Sequence, residues 1–404
     1  MLIINAKIVT AGENGIIESG SLLIKGSKIS QVSSGKTVGS GPDRISGLKV
    51  VDAEGAVITP GLFDSGTILA LTEVEGGTRG TDFKADKTDF GAAFKVGMAV
   101  NRHSSMIPMV RASGVTSVIV RPSAGSQNIA GQSAILSLAE HANLLNDGNA
   151  MFVDLRERSR VFSGGTRAIA MTKLEAALDE AMVYKKNKKA YRSGKLKQLA
   201  LSELDLIALE PVIDGDKPIA VYVDRAADIE QVIKLLGNYQ LILVGAREGW
   251  MVKELIAKHA IPVVLNVLDN IPSTFDQLGA RLDNAALLAS AGVTIAFMTE
   301  DIFTETKSLT QAAGVAVANG LPWDSAINAI TVNPAEIWGS VVSGKLESGQ
   351  IADLVMWDGD PLEVTSKPTR VMIHGEWVSL KSRQTLLRDR YADLSDKSSA
   401  FGYR

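Results

Sequence analysis

The chain has 404 residues, 46% of them hydrophobic and 22% charged, which is ordinary for a globular protein with a large core. Its 42 basic and 45 acidic residues give a formal charge of -3, which excludes the strong positive field of a nucleic-acid-binding protein. No apolar stretch reaches the roughly 18 residues of a membrane span, and the absence of cysteine excludes disulfides, thiolate metal ligands and cysteine nucleophiles. The cytoplasm is the default compartment, with the periplasm as the alternative if a leader has been removed.

Both ends of the chain predict β-structure. Residues 1–58 contain short alternating runs such as LIINAKIVT and SLLIKG, separated by Gly and Ser, which predict a small antiparallel sheet. Alternation returns over residues 340–380, and so small a sheet is not stable alone. We therefore expect both ends to form one composite β-sandwich domain. Residues 381–404 predict a charged C-terminal tail with one helix.

The central residues, 59–339, predict a (β/α)8 TIM-like barrel, and the fold class is therefore α/β. Eight short apolar runs alternate with segments of helical period, as expected for buried parallel strands and their crossover helices. One such segment, 275–292, predicts a helix that ends at Gly292. A doubly wound sheet stays open as an alternative, because periodicity does not report barrel closure. The runs are VITPGLFDSG, GVTSVIVRP, SAILSLA, AMFVDL, KPIAVYVD, LILVGAR, IPVVLNV and GVTIAFMTED.

Three stretches carry a resemblance to a known family. They are TPGLFDSGTIL, then GVTIAFMTED with AAGVAVANGLPWDSAINAITVNPAEIWG, and finally GKLESGQIADLVMWDGDPLEV. In this order and spacing they resemble the amidohydrolase superfamily, in the branch of imidazolonepropionase and related cyclic-amide hydrolases. The resemblance implies a metal-dependent barrel with a β-sandwich built from both termini. It also implies a His-x-His pair ending the first strand, Lys or Glu ending the fourth, His ending the fifth and often the sixth, and Asp ending the eighth.

The positions that the resemblance assigns to metal-binding histidines hold other residues here. Gly66 and Ile68 stand at the first-strand pair, Tyr222 at the fifth-strand histidine and Gly245, followed by Ala246, at the sixth. Glycine and isoleucine have no donor atom, and a phenol with a pKa near 10 is a poor metal ligand. The four histidines of the chain lie elsewhere and are interpreted as structural: His103 and His141 in helical segments, His259 near a helix end and His374 in the small domain.

Carboxylates stand at the remaining positions of the family pattern. Asp154 ends the fourth strand without a lysine, and Glu300 takes the place of the eighth-strand Asp, followed by Asp301. No cofactor is expected, because hydrolytic zinc needs three ligands that are mostly imidazole. A divalent ion such as Mg, Ca or Mn held by Asp64, Asp154, Glu300 and Asp301 stays possible, and the alternative is that these are hydrogen-bonded residues of the barrel rim.

Three arginines follow predicted strands and are expected at the barrel mouth. Arg121 ends the second strand, Arg225 follows the fifth and Arg247 the sixth. Together with Thr67, Tyr222 and Asp154 they predict a site for a small-molecule ligand, an anionic one in this interpretation. The alternative is that the arginines pair with Asp154, Asp224 and Glu248. If catalysis occurs, Glu300 is the candidate base, with Asp301 beside it.

Three functions stay open at this point. The first is a family barrel whose metal site has degenerated and whose reaction on carbon–nitrogen bonds is weak, absent or replaced by ligand binding. The second is an active hydrolase of an amide or cyclic amide that uses a carboxylate-bound metal or Glu300 alone. The third is a non-catalytic binding or assembly subunit, and a homo-oligomer is compatible with all three.

Overall fold

A computed structural model describes residues 1–35, 48–73, 80–140, 143–300 and 303–392. Within these ranges no helix is both long and apolar enough to cross a bilayer. The strands, in chain order, are β1 (Leu2–Val9), β2 (Ile16–Lys25), β3 (Lys28–Ser34), β4 (Val50–Asp52), β5 (Val57–Pro60), β6 (Leu62–Thr67), β7 (Val115–Val120), β8 (Ile129–Ser137), β9 (Asn143–Asp154), β10 (Ile219–Val223), β11 (Leu241–Gly245), β12 (Val263–Leu265), β13 (Ile295–Phe297), β14 (Leu354–Trp357), β15 (Pro368–Ile373) and β16 (Glu376–Val378).

Ten α-helices lie within the same ranges. They are α1 (Ile107–Arg111), α2 (Arg167–Arg192), α3 (Glu203–Asp214), α4 (Ala226–Leu236), α5 (Lys253–Lys258), α6 (Asn284–Ser290), α7 (Leu309–Ala318), α8 (Trp323–Ala329), α9 (Val332–Ile337) and α10 (Arg383–Ala392). Short 3-10 helices cover Val96–Ala99, Glu157–Ser163, Gly249–Val252 and Phe303–Ser308.

The eight apolar runs of the central chain form one sheet, β6 to β13, with neighbours in sequence order. The amide of Glu300, just after β13, donates to the carbonyl of Gly66 in β6 at 2.9 Å, which brings the two ends of the sheet together. The predicted barrel is confirmed.

One strand departs from the expected parallel pattern. β8 runs antiparallel to both β7 and β9. A parallel crossover needs about a dozen residues or more, and the connection from Val120 to Ile129 is too short for one. The chain therefore reverses direction between β7 and β8 without a helix in the connection.

The two chain ends share a second sheet, in the order β16, β15, β14, β5, β1, β2 and β3, with β4 pairing β1. The chain just before β14 also hydrogen-bonds to β3, since Ile29 donates to the carbonyl of Gln350 at 2.9 Å. The sheet thus folds over a separate apolar core that includes Ile8, Leu22, Leu354 and Met372. This is the composite β-structure predicted from the alternating terminal segments.

The helices agree with the amphipathic pattern in part. In α2, the predicted stripe of Leu174, Ala177, Leu178 and Ala181 is buried. The helix predicted over 275–292 is wrong in its first half, because α6 begins only at Asn284. The preceding segment instead forms part of the barrel mouth, where Gln277 donates to Asp224.

None of the three histidines in the described ranges lies on a barrel strand. His103 is in a turn and not in a helix, and His374 is in the turn between β15 and β16. His259 follows α5 directly, as predicted. His141 lies outside the described residues.

Candidate functional site

A cavity of about 600 Å³ opens where β9 to β13 end. Parallel strands of a barrel point their carboxyl ends to one face, which is where ligands bind in such folds. Three guanidinium groups and five carboxylates line the cavity, and Leu268 is the lining residue with a wholly hydrocarbon side chain. The lining residues are Arg156, Glu157, Arg158, Asp224, Arg247, Asn266, Leu268, Asp269, Ser273, Thr274, Asp276, Gln277, Thr299 and Glu300.

Asp154 and Arg156, at the end of β9, form a buried two-point ion pair. Arg156 donates through Nε to Oδ1 of Asp154 at 3.1 Å and through Nη2 to Oδ2 at 2.8 Å. Burial alone would raise the pKa of Asp154, but the guanidinium groups of Arg156 and Arg158 outweigh burial and lower that pKa to about 2. The Asp154 carboxyl is therefore ionised at neutral pH.

Glu300 lies at the centre of several donors. Its Oε1 accepts from Nη1 of Arg156 at 2.5 Å, and its Oε2 lies 3.4 Å from Nη2 of Arg247 and 3.5 Å from Nδ2 of Asn266. Arg158 Nη2 is 3.7 Å from Oε1. The backbone of Glu300 has a φ of 59°, a left-handed conformation that costs a non-glycine residue roughly 1–2 kcal/mol. Its contacts hold the side chain in place despite this strain.

Arg247 joins two further carboxylates to the same network. It donates through Nη1 to Asp224 at 2.8 Å and through Nη2 to Asp269 at 2.5 Å. Burial raises the pKa of Asp224 even though the nearby guanidinium groups of Arg247 and Arg156 oppose the shift. Among the residues that the structure describes, Oδ1 of Asp224 has no hydrogen-bond partner. Burial thus favours the protonated form of Asp224.

Tyr222 lies beneath this network in the barrel interior. The Cζ of Arg156 is 3.9 Å from the centre of the tyrosine ring, and the Cζ of Arg121 is 5.2 Å from it. Both distances allow cation–π attraction. The phenol donates to Sδ of Met298 at 3.8 Å. Two guanidinium groups therefore pack on Tyr222, the residue that the sequence resemblance assigns to the fifth-strand histidine position.

At Gly66 in β6 and Gly245 in β11 there is little room for a larger side chain that could bind a metal ion. A Cβ atom on Gly66 would lie 3.3 Å from Met298 Sδ and 3.6 Å from Arg121 Cδ. A Cβ atom on Gly245 would lie 2.5 Å from Asp224 Oδ1. In the described ranges there is no group of three or more His, Cys, Asp or Glu side chains placed to hold a metal ion.

Asp64 is the most deeply buried carboxyl of the barrel. It accepts from the amide of Gly66 at 2.8 Å and from the amide and hydroxyl of Thr299. Desolvation outweighs these bonds and raises the pKa of Asp64 to about 7. Thr67 lies nearby, with its hydroxyl 2.9 Å from that of Thr306.

A family model described as the amidohydrolase family matches residues 170–378, which is just over half of the chain. The chain belongs to the amidohydrolase family. A curated relative, amidohydrolase tasK of Hapsidospora irregularis, is 20% identical over 362 residues. That match covers 81% of this chain but 37% of the relative, so the chain spans little more than a third of that protein.

Solved structures agree on the fold of this family member. An amidohydrolase from Thermotoga maritima MSB8 superposes with a TM-score of 0.83 at 24% identity, covering 94% of this chain and 99% of that one. Molinate hydrolase gives 0.57 at 14% identity, covering 94% of each chain. An enamidase gives 0.54 at 14%, covering 95% of this chain and 96% of its own. At these identities the likeness concerns the fold alone.

Only part of the predicted set meets at the mouth of this amidohydrolase-family barrel. Glu300 and Arg247 line the cavity, and Asp154 lies directly behind it through Arg156. Four other candidates lie elsewhere: Arg121, Thr67 and Tyr222 are buried in the barrel, and Arg225 precedes α4. Asp301 lies outside the described residues.

The predicted arginine trio is divided among different partners. Arg247 pairs with Asp224, as the alternative from sequence had it. Arg225 pairs with Asp228 at 2.6 Å, and Arg121 donates to Ser123 Oγ at 3.0 Å. The three side chains therefore do not form one anion site.

Four residues of the cavity lining were not expected from the sequence: Arg156, Arg158, Asn266 and Asp269. Arg156 and Arg158 directly follow β9, so the criterion that selected arginines after strand ends would have selected them as well. Asn266 and Asp269 follow β12, in a segment whose apolar spacing favours a helix only further along the chain. No local pattern indicated that this segment turns toward the cavity.

Proposed function

We propose that this amidohydrolase-family protein binds a small polar ligand at the barrel mouth and does not perform the metal-dependent hydrolysis of its family. The observation that carries the proposal is the position of Arg156. Its guanidinium group lies between Asp154 and Glu300 and over the ring of Tyr222. These three residues stand at positions that the family pattern assigns to metal ligands, and here a fixed organic cation supplies the positive charge.

The residues at the mouth do not fit a catalytic metal ion. A hydrolytic zinc site needs three protein ligands and one open position. Gly66, Ile68 and Gly245 provide no side-chain donor, and the space beside Gly66 is filled by Met298 and Arg121. Asp154 and Glu300 already accept from guanidinium groups. Binding a metal ion would require these ion pairs to break.

The cavity itself supports a binding role. Its volume of about 600 Å³ lies in the range of small-molecule sites, about 300–1,000 Å³. Its walls carry both donors and acceptors, so a small polar molecule can exchange its hydration for contacts with the protein.

Thermal melting of the full chain tests this proposal. We expect the same melting temperature with added Zn²⁺, Mn²⁺ or Mg²⁺ as with EDTA, because no site gains from the ion. A ligand that binds only the folded state, at a concentration of 100 times its Kd, adds about 2.7 kcal/mol of stability, and a thermal melt detects this readily. Saturable stabilisation by a divalent ion, reversed by EDTA, would contradict the proposal.

A metal-free hydrolase is the second candidate, and Asp224 is the observation that favours it. Its carboxyl lines the cavity with a raised pKa, as a proton donor to a leaving nitrogen requires. A panel of amides, lactams and imidazolones tests this function with and without divalent ions. Turnover that is lost in Asp224→Asn or Glu300→Gln would support it, and no turnover across the panel would reject it.

A further inference from the structure

We infer that the ligand of the barrel mouth is a small zwitterion whose anionic group contacts Arg158 and whose cationic group contacts Asp269. This inference rests on the proposed binding role of the cavity and specifies the class of ligand. It differs from the purely anionic ligand predicted from the sequence.

Exposure separates the charged groups of the mouth into two sets. The side chains of Arg156 and Arg247 are 6% and 4% exposed, and both are enclosed by carboxylates. Arg158 and Asp269 are 48% and 51% exposed in their side chains, although both line the same cavity. The side chain of Glu157, a further lining carboxylate, is 32% exposed. An incoming molecule therefore meets Arg158 as the most exposed guanidinium group and Asp269 as the most exposed carboxylate of the lining.

A series of short contacts links these two groups through Glu300 and Arg247. Arg158 Nη2 is 3.7 Å from Oε1 of Glu300, whereas Oε2 lies 3.4 Å from Nη2 of Arg247. The same Nη2 atom is 2.5 Å from Oδ2 of Asp269. Arg158, Glu300, Arg247 and Asp269 all line the cavity, so the exposed cation and the exposed anion belong to the same wall network. A molecule lying over them can contact both ends at once.

The charge of the walls disfavours a ligand with net negative charge. Five carboxylates and three guanidinium groups line the cavity. A purely anionic ligand would add to the excess of negative charge, and a dicarboxylate would do so twice. A zwitterion adds no net charge and places each of its ends beside an opposite charge. Ser273, Thr274 and Gln277 in the remaining wall supply neutral hydrogen-bonding groups for its middle part.

Calorimetric titration of the full chain tests the inference with zwitterions of increasing length, namely glycine, 4-aminobutyrate and 6-aminohexanoate. Acetate, methylammonium and succinate serve as ligands that carry one kind of charge only. We expect at least one zwitterion to bind. The length of the zwitterion that binds most tightly reports the distance between Arg158 and Asp269. Each single-charge ligand should bind at least about tenfold more weakly, because it lacks one charge-assisted contact.

Two substitutions locate the contacts. Arg158→Gln and Asp269→Asn should each weaken zwitterion binding about tenfold or more, while Arg158→Lys, which keeps the charge, should retain most of it. The matched controls are Arg281→Gln and Asp283→Asn, which alter a partly exposed ion pair outside the cavity lining and should bind as the wild type does. The melting temperature of each variant checks that it is folded.

The inference is overturned if no zwitterion binds, if single-charge ligands bind as tightly as zwitterions, or if Arg158→Gln and Asp269→Asn bind like the controls. These outcomes differ from a failure of the proposed function, which would appear as stabilisation by a divalent ion. If neither divalent ions nor zwitterions bind, the zwitterionic ligand is refuted and the proposed absence of metal binding is not.

Discussion

Two buried carboxyl groups of the barrel respond to their surroundings in opposite directions. Asp154 faces Arg156 and Arg158, so its pKa falls to about 2. Asp64 is deeper and has mainly neutral hydrogen-bond donors, so burial raises its pKa to about 7. At Asp154 the two guanidinium groups outweigh burial, whereas at Asp64 the hydrogen bonds from Gly66 and Thr299 do not.

The raised pKa of Asp64 makes stability depend on pH. The carboxyl has a pKa of about 7 in the folded state against 3.8 in the unfolded state, so the folded chain binds more protons between these values. Stability from this group is therefore lost as pH rises from about 4 to about 7. We expect Asp64→Asn, which keeps the size and acceptor, to flatten this part of the curve, a change on the order of 4 kcal/mol.

Urea unfolding at a series of pH values measures this effect. The exposed Asp179→Asn on α2 is the control and should leave the curve unchanged. The opposite slope is expected for Asp154, whose contribution is present above about pH 4 and is lost as pH falls toward about 2. A variant Asp64→Asn with the same pH dependence as the wild type would show that Asp64 is not the group responsible.

Removing Arg156 should be costly. The change Arg156→Gln leaves Asp154 and Glu300 buried without their closest cation, and breaking a buried pair on one side costs about 3–5 kcal/mol. Arg160→Gln lies on the following 3-10 helix, pairs with Glu157 at 3.9 Å and is partly exposed, so it should cost less than about 1 kcal/mol. Denaturant unfolding compares the two, and equal losses would count against the central role of Arg156.

At this scale the sequence identified single residues better than it identified their partners. The family pattern singled out Glu300, which lines the cavity, and Asp154, which pairs with the lining residue Arg156. Arg156 connects them only because β9 and β13 meet across the barrel. Asp269 reaches Arg247 only because of the path that the segment after β12 takes. Pairings between distant strands have no local sequence signal.

At the level of elements, the direction of β8 is the main feature that periodicity did not predict. Its apolar run looks like the others because both faces are buried in either direction. Only the length of the preceding connection distinguishes an antiparallel return from a crossover. Gly131 in β8 marks the close approach of another segment, since a Cβ there would lie 2.6 Å from the carbonyl oxygen of Phe94.

Gly131→Ala should therefore destabilise the fold by about 2–3 kcal/mol, because it combines a φ of 122° with a backbone clash. Gly26→Ala is the matched control. Its φ is 58°, but no atom lies within 4 Å of the added Cβ, so only the conformational cost of roughly 1 kcal/mol applies. Thermal unfolding measures the stability of both variants. Equal melting temperatures for the two variants would show that the segment near Phe94 moves aside at little cost.

At the level of the whole molecule, the two chain ends depend on each other. β14 pairs with β5, which leads directly into the first barrel strand, and also with β15. The alternating patterns of the terminal segments were sufficient to predict this association, because neither set of strands can bury its apolar face alone. Which strands would be neighbours was not predictable from alternation.

Deleting the chain after Ser340 should prevent cooperative folding. The deletion removes β14 to β16 and Leu346 from the apolar core of the terminal sheet and leaves the edge of β5 open. Circular dichroism during heating of the purified fragment checks this expectation. A sharp transition at the melting temperature of the full chain would show that the barrel is stable without the composite sheet.

The proposed replacement of the family's metal ion by guanidinium groups is open to direct measurement. Elemental analysis by mass spectrometry of the full chain, purified without chelator, should find less than about a tenth of an equivalent of any transition metal, because the positions for imidazole ligands lack donors and Arg156 occupies the carboxylates. A metal ion present at close to one equivalent, retained through dialysis, would contradict the replacement.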